Sequence, residues 1–149
     1  MLSAHNILRW VILILLVINL LRHLTSVNKN FTATDKKLSL FLLISAHLTL
    51  LVGLYQWFAG DWGLARIQSL GMGEVMKNGT FRFFAIEHPV GMIVTIALIT
   101  IAHSTTKKNL PHSTKHKRML LLQFIALLAI MAIVPWPFRE EIARPLLRY

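Results

Sequence analysis

Apolar residues in this chain form four long blocks and do not recur at the period of a surface helix or strand. The blocks cover about residues 7–24, 38–58, 83–103 and 118–135. Each is close to the roughly 20 residues that an α-helix needs to cross the hydrocarbon core of a bilayer. The pattern therefore predicts an all-α membrane protein, an up-down-up-down bundle of four transmembrane helices in a single membrane domain.

The polar stretches between the blocks complete this prediction. Even spans and short loops place the first and third helices on one diagonal of the bundle, and the second and fourth on the other. The longest loop predicts a short interfacial helix at about residues 62–70. The first block could also be a cleaved signal peptide, but Arg9 interrupts it and no small-residue cleavage pattern follows Arg22. We therefore expect a retained helix.

The composition indicates a membrane protein and excludes several kinds of functional site. The chain is 55% hydrophobic and 15% charged, against roughly 45–50% and about 25% in ordinary globular domains. It has no cysteine, which excludes a disulfide scaffold, thiolate metal sites, iron–sulfur clusters and covalently attached haem. No phosphate-binding loop or nucleophile elbow is present. An electron carrier or a subunit is expected rather than an independent enzyme.

The formal net charge of +10 predicts an orientation in the membrane and does not predict nucleic-acid binding. Basic residues that flank apolar blocks are the usual orienting signal. The first and third loops carry nine of the 16 Lys and Arg residues, and the other side carries seven. This bias predicts that both termini lie on the non-cytoplasmic side.

Histidines near or within the blocks are the candidates for chemistry. His47 lies in the middle of the second block, where it is either a neutral interhelical hydrogen-bond partner or a metal or haem ligand. His88 stands before Pro89 at the start of the third block, and Gly91 beside it leaves room for a planar cofactor. His5 is either an interface residue or a third candidate ligand.

Depth along the helices decides which histidines can meet. His5 and His88 fall at the same membrane side on diagonal helices, as a bis-histidine haem b requires. His47 is expected about 10 Å deeper, from the helical rise. If haem is bound, we expect His88 as one axial ligand and His47 or His5 as the other. Burial favours His47 slightly, because a kink at Pro89 could lower His88 towards it.

Charged residues near His88 have two interpretations. Glu87 could orient His88, carry a proton or neutralise an arginine, or it could form a simple interfacial salt bridge. Arg9 and Arg82 could hold haem propionates, or they could anchor the protein at the interface. The hypothesis is one cluster of His5, Arg9, Glu87 and His88 with His47 beneath it.

The remaining histidines lie at the basic side. His23 and His103 form a second pair of equal depth on the diagonal, so a two-haem stack is a further hypothesis. His112 and His116 stand among lysines, and we expect both to be solvated loop residues.

Several stretches resemble a family of small bacterial four-helix membrane proteins that are described as cytochrome B-like. The similarity covers nearly the whole chain, and Asn6 and Thr49 depart from it where Ser and Gln are more typical. It implies a bacterial inner membrane location, a haem b cofactor and roles for His5, His47 and His88. The stretches that carry it are His5-Asn6 with Leu8-Arg9-Trp10, His47 with Leu50–Leu54, Met76-Lys77-Asn78, Arg82-Phe83-Phe84 with Glu87-His88, Met92–Ile101 and Ile133–Arg139.

Three functions therefore compete at this point. The first is a b-type cytochrome-like protein that passes single electrons to or from a quinol, a redox protein or a larger membrane complex. The second is a haem-free accessory or assembly subunit whose histidines are interhelical hydrogen-bond partners. The third is a metal site of His5, His47 and His88 with Glu87.

Overall fold

The computed structural model describes residues 2–146, and its elements are helical. The four longest helices lie in four segments that are long and apolar enough to cross a membrane. The chain is therefore an all-α, multi-pass membrane protein. In chain order the helices are α1 (Leu2–Thr25), α2 (Ala33–Ala59), α3 (Leu64–Leu70), α4 (Met72–Lys77), α5 (Gly79–Arg82), α6 (His88–Ser104) and α7 (His112–Ile133).

The four long helices form the predicted bundle. α1 and α6 each pack on both α2 and α7, so α1 and α6 face each other across a diagonal. The centre is apolar, with Leu16, Leu42 and Ile99 fully or almost fully buried. Many large apolar side chains point outward instead, among them Leu51 and Leu121. This distribution suits a bundle whose outer surface contacts lipid.

The helices extend into the first predicted loop, and a capping interaction explains where α2 begins. Oδ2 of Asp35 accepts hydrogen bonds from the backbone N–H of Thr32 at 2.7 Å and from its hydroxyl at 2.8 Å. Oδ1 of Asp35 lies 2.7 Å from Nε of Arg22 on α1. A side-chain acceptor at the first turn satisfies a backbone donor that has no partner within the helix. The loop between α1 and α2 is therefore short, and Asp35 bonds to Arg22 before the loop and to Thr32 at its end.

A π-helical turn over Phe83–Glu87 joins α5 to α6 and adapts the helix to Pro89. The N–H of His88 donates to the carbonyl of Phe83, five residues back. Pro89 has no N–H, which would leave the carbonyl of Ala85 without its helical partner. The indole N–H of Trp57 on α2 donates to that carbonyl at 2.8 Å. Pro89 is thus accommodated by a local widening of the helix and a bond from α2.

The segment after α7 folds back over one end of the bundle. α7 ends at Ile133, because Pro135 cannot continue its hydrogen-bond ladder. The backbone N–H of Arg144 donates to the carbonyl of Pro135 at 3.1 Å. The carbonyl of Leu146 then accepts from the indole of Trp10 at 2.8 Å. The segment 134–146 therefore covers the end of the bundle where α1 begins; we call this the outer end.

Candidate functional site at the outer end

A cavity of about 690 Å³ opens among the helices at the outer end. Its size lies within the roughly 300–1,000 Å³ that is typical of small-molecule and cofactor sites. α1 contributes His5 and Arg9, α2 contributes Gly53, α6 contributes His88, and the C-terminal segment contributes Arg144. Two imidazoles and two guanidinium groups thus meet in a pocket that is otherwise mostly apolar.

His88 is held by a backbone carbonyl on a neighbouring helix. Its Nδ1 lies 3.1 Å from the carbonyl oxygen of Ile133 at the end of α7. A carbonyl can only accept, so Nδ1 carries the proton and donates, and Nε2 keeps its lone pair. Metal-binding histidines usually have this arrangement, with the second ring nitrogen donating to a carbonyl or carboxylate. The site therefore presents one oriented imidazole lone pair.

His5 faces His88 across the diagonal of the bundle. The two ring centres are 6.2 Å apart and the ring planes cross at 72°. Nδ1 of His5 is buried and has no hydrogen-bond partner within residues 2–146. An added Cβ at Gly53 would lie 3.3 Å from Cε1 of His5, so the absence of a side chain there leaves space for the ring. His5 and His88 thus lie at the same depth, as their positions in the sequence predict.

Arg9 forms the wall of the cavity beside His5. One Nη of Arg9 donates to the carbonyl of Leu146 at 2.7 Å. Its guanidinium carbon lies 5.5 Å from the ring centre of Trp10 and 5.6 Å from that of Trp136. Guanidinium groups over aromatic faces are stabilised by the ring quadrupole. Arg9 is therefore fixed at the cavity with a positive charge.

His47 does not belong to the cavity, so the prediction that it lies beneath the cluster is wrong. Its imidazole is exposed on the outer surface of α2, and Nδ1 bonds to the carbonyl of Leu43 in the same helix at 2.9 Å. The inward stripe of α2 contains Leu42, Ala46 and Thr49. His47 follows Ala46 by one residue, which turns its side chain about 100° away from that stripe.

Glu87 does not line the cavity, so its predicted place in the cluster with His5 is wrong, and Arg82, a predicted partner of haem propionates, does not line it either. Oε1 of Glu87 accepts from Nε of Arg82 at 2.6 Å, and both side chains are partly exposed. Arg82 makes a second bond to the carbonyl of Met76 at 3.1 Å. The pair links the π-helical turn to α4. The simple interfacial salt bridge is the interpretation that the geometry favours.

The histidines at the opposite end, which we call the basic end, pair differently from the prediction. His23 on α1 contacts His116 on the adjacent α7, with the two Nδ1 atoms 3.0 Å apart. His116 is fully buried, so its expected solvation is wrong. His103 contacts the hydroxyl of Ser39 on α2 at 3.0 Å, and it is not the partner of His23. His112 is exposed, as expected, and accepts from the backbone N–H of Phe31.

Two residues of these clusters were not predicted from the sequence. Arg144 looks like part of a polar tail, and only the folding back of the C-terminal segment brings it to the cavity. His116 could have been found, because it continues the inward stripe of α7 through Met119, Gln123 and Ala126 at intervals of three and four residues.

Comparisons with models of protein families, with curated proteins and with solved structures find no match for this chain.

Proposed function

We propose that this chain is a b-type cytochrome-like membrane protein, in which a haem bound in the outer-end cavity carries one electron at a time. The observation that carries the proposal is the pair of imidazoles, His5 and His88, on diagonal helices at one depth in a cavity of about 690 Å³. Two histidines from facing helices are a common way to hold haem iron in a helix bundle.

The spacing of the two rings supports shared ligation. An imidazole nitrogen binds a metal ion at about 2.0–2.1 Å, so two imidazoles on opposite sides of one ion have ring centres about 6 Å apart. The ring centres of His5 and His88 are 6.2 Å apart. His88 offers Nε2, because its Nδ1–H is held by Ile133. His5 has a buried Nδ1 for which residues 2–146 provide no partner.

The walls of the cavity also suit a porphyrin with two carboxylates. Gly53 faces His5, and Met92 on α6 adds apolar surface beside His88. Arg9 and Arg144 bring positive charge to the same cavity. Guanidinium groups bind carboxylates through charge-assisted hydrogen bonds. The cavity thus combines imidazole donors with an apolar surface, two cationic groups and one carboxylate, that of Asp61.

The haem supplies the one-electron chemistry, and the residues of this chain set the conditions for it. His5 and His88 would fix the iron, and the helices would limit the access of water and so influence the reduction potential. The electron partner would be a quinol, a redox protein or a larger membrane complex.

The proposal is tested by an absorbance spectrum of the chain purified in detergent. We expect a reduced-minus-oxidised difference spectrum typical of six-coordinate haem b, with one haem per chain after expression with adequate haem supply. Protein that is folded, takes up no haem from added hemin and shows no such spectrum would contradict the proposal. That result would favour the haem-free accessory subunit.

We also propose that the outer end faces away from the cytoplasm, which the excess of Lys and Arg at the basic end supports. The chain has no cysteine, so single cysteines can be introduced without background. Gly73 is a suitable outer-end position because a Cβ there meets no atom within 4 Å. We expect an impermeant thiol reagent to label Gly73→Cys in intact cells and not Lys36→Cys or Lys108→Cys. The reverse pattern would show the opposite orientation.

A further inference from the structure

At the basic end, separate from the outer-end cavity, His23, Asp35 and His116 form a buried cluster, and we infer that it binds a divalent transition metal ion of the zinc class. One ligand atom from each residue lies within 4.8 Å of the other two. All three residues are fully buried. Imidazole nitrogens and a carboxylate oxygen are common ligands of zinc and of related divalent metals.

Three separate elements supply the ligands. His23 lies near the end of α1, Asp35 in the first turn of α2, and His116 in the first turns of α7. Local sequence therefore does not bring them together, and no two of them are neighbours on one helix. A metal ion at this point would join the three elements at one end of the bundle.

The histidine pair is left incompletely satisfied by hydrogen bonding alone. The two Nδ1 atoms lie 3.0 Å apart, so one of them carries a proton and donates it, and the lone pair of the other accepts. Both Nε2 atoms are buried and have no partner among the described residues. Buried polar groups without partners are uncommon. When a metal ion is held by both Nδ1 atoms, each Nε2 carries the ring proton and would donate it to a water. A metal ion would use both Nδ1 lone pairs at once.

Asp35 retains an acceptor site and is already oriented. Its carboxylate has about four lone-pair sites. The backbone N–H and hydroxyl of Thr32 take two sites on Oδ2, and Nε of Arg22 takes one on Oδ1. One site on Oδ1 remains. Metal-binding carboxylates are usually held by further hydrogen bonds of this kind, so Thr32 and Arg22 would act as positioning residues.

The distance between the two Nδ1 atoms and the ring of Phe31 beside them suit a buried metal site. Two nitrogen ligands of a tetrahedral zinc ion lie about 3.3–3.4 Å apart, so the observed 3.0 Å between Nδ1 atoms needs to open by only a few tenths of an ångström. The ring of Phe31 stacks on His23 with centres 6.2 Å apart and contacts His116 at 5.1 Å. Phe31 therefore lies against both imidazoles, and one water would complete the four ligands.

The test uses Co²⁺ as a spectroscopic probe and Zn²⁺ as its competitor. The full chain is purified in detergent without a polyhistidine tag, stripped with a chelator and titrated. We expect one Co²⁺ per chain with visible absorption bands, which Zn²⁺ abolishes, and a higher Tm with Zn²⁺ than without it. A wild-type chain that binds no stoichiometric Co²⁺ or Zn²⁺ would overturn the inference, whether or not any variant folds.

Variants identify the ligands. We expect His23→Ala, His116→Ala and Asp35→Asn to lose stoichiometric Co²⁺ binding and the increase in Tm with Zn²⁺. His47→Ala is the matched control, because it removes an exposed histidine, and it should bind like the wild type. His88→Ala should also bind Co²⁺ at the basic end, and this result would show that the metal site is distinct from the outer-end cavity. Stoichiometric binding in folded His23→Ala or His116→Ala would contradict the assignment.

Discussion

Replacing His88 with alanine should abolish haem binding, because it removes the imidazole whose Nε2 is left free for iron by the bond from Nδ1 to Ile133. His5→Ala should lower haem content less, since His88 would still hold the iron on one side. His47→Ala should leave haem content unchanged, because the imidazole of His47 points away from the cavity. Haem content per folded chain is measured by the pyridine haemochrome absorbance.

His47→Ala is the control for the two variants of the cavity, His5→Ala and His88→Ala. His5 and His88 line the cavity, whereas His47 is exposed on the surface of the bundle, so His47→Ala controls for the loss of any histidine. Circular dichroism and gel filtration in detergent establish that each variant is folded. Full haem content in folded His88→Ala would refute the ligand assignment. Haem loss in His47→Ala equal to that in His88→Ala would indicate that haem binds elsewhere.

Gly91→Ala should destabilise the bundle where α6 meets the end of α7. A Cβ at Gly91 would lie 2.7 Å from both Cγ1 and Cδ1 of Ile133. Overpacking costs about 1–3 kcal/mol, which exceeds the roughly 0.5–1 kcal/mol that Ala ordinarily gains over Gly within a helix. The same displacement would move the carbonyl of Ile133 away from His88, so haem affinity should fall as well. The free energy of unfolding is measured by denaturant titration in mixed micelles.

A matched substitution and a compensating one make this prediction specific. Gly73→Ala adds the same methyl group in α4 where no atom lies within 4 Å, and it should not destabilise the protein. Ile133→Ala removes the atoms that the new Cβ would meet. The double variant should therefore be more stable than the sum of the two single effects predicts. Additive effects would show that Gly91 and Ile133 do not clash.

The membrane bundle could be read from the sequence, because a chain of four long apolar blocks without soluble patterning has few alternatives. In a bilayer each backbone polar group must be satisfied within its own segment, which favours helices. Short connections then determine which helices are neighbours. The depth of a side chain follows from its position along a helix, so the meeting of His5 and His88 on diagonal helices could also be predicted. Helix ends were less predictable, because α2 begins at a capping interaction with Asp35.

The direction in which a side chain points was harder to predict from the sequence. In an apolar block almost every residue is hydrophobic, so the residues that face the bundle centre do not stand out. One residue of rotation turns a side chain by about 100°, and this alone places Ala46 inside and His47 outside. The same uncertainty concealed His116, whose lysine neighbours suggested a solvated loop. Its contact with His23 joins residues that lie 93 positions apart.

The fold class, the number of spans and the shared depth of His5 and His88 could therefore be predicted, since they depend on hydrophobicity and helical rise. Which polar groups share a site could not be predicted in the same way, because that depends on the rotation of each helix and on how distant segments fold over the bundle. Arg144 reaches the outer cavity because the C-terminal segment folds back. Glu87 does not line that cavity and pairs with Arg82 instead. His23 meets His116 because the first turns of α7 pack beside the end of α1.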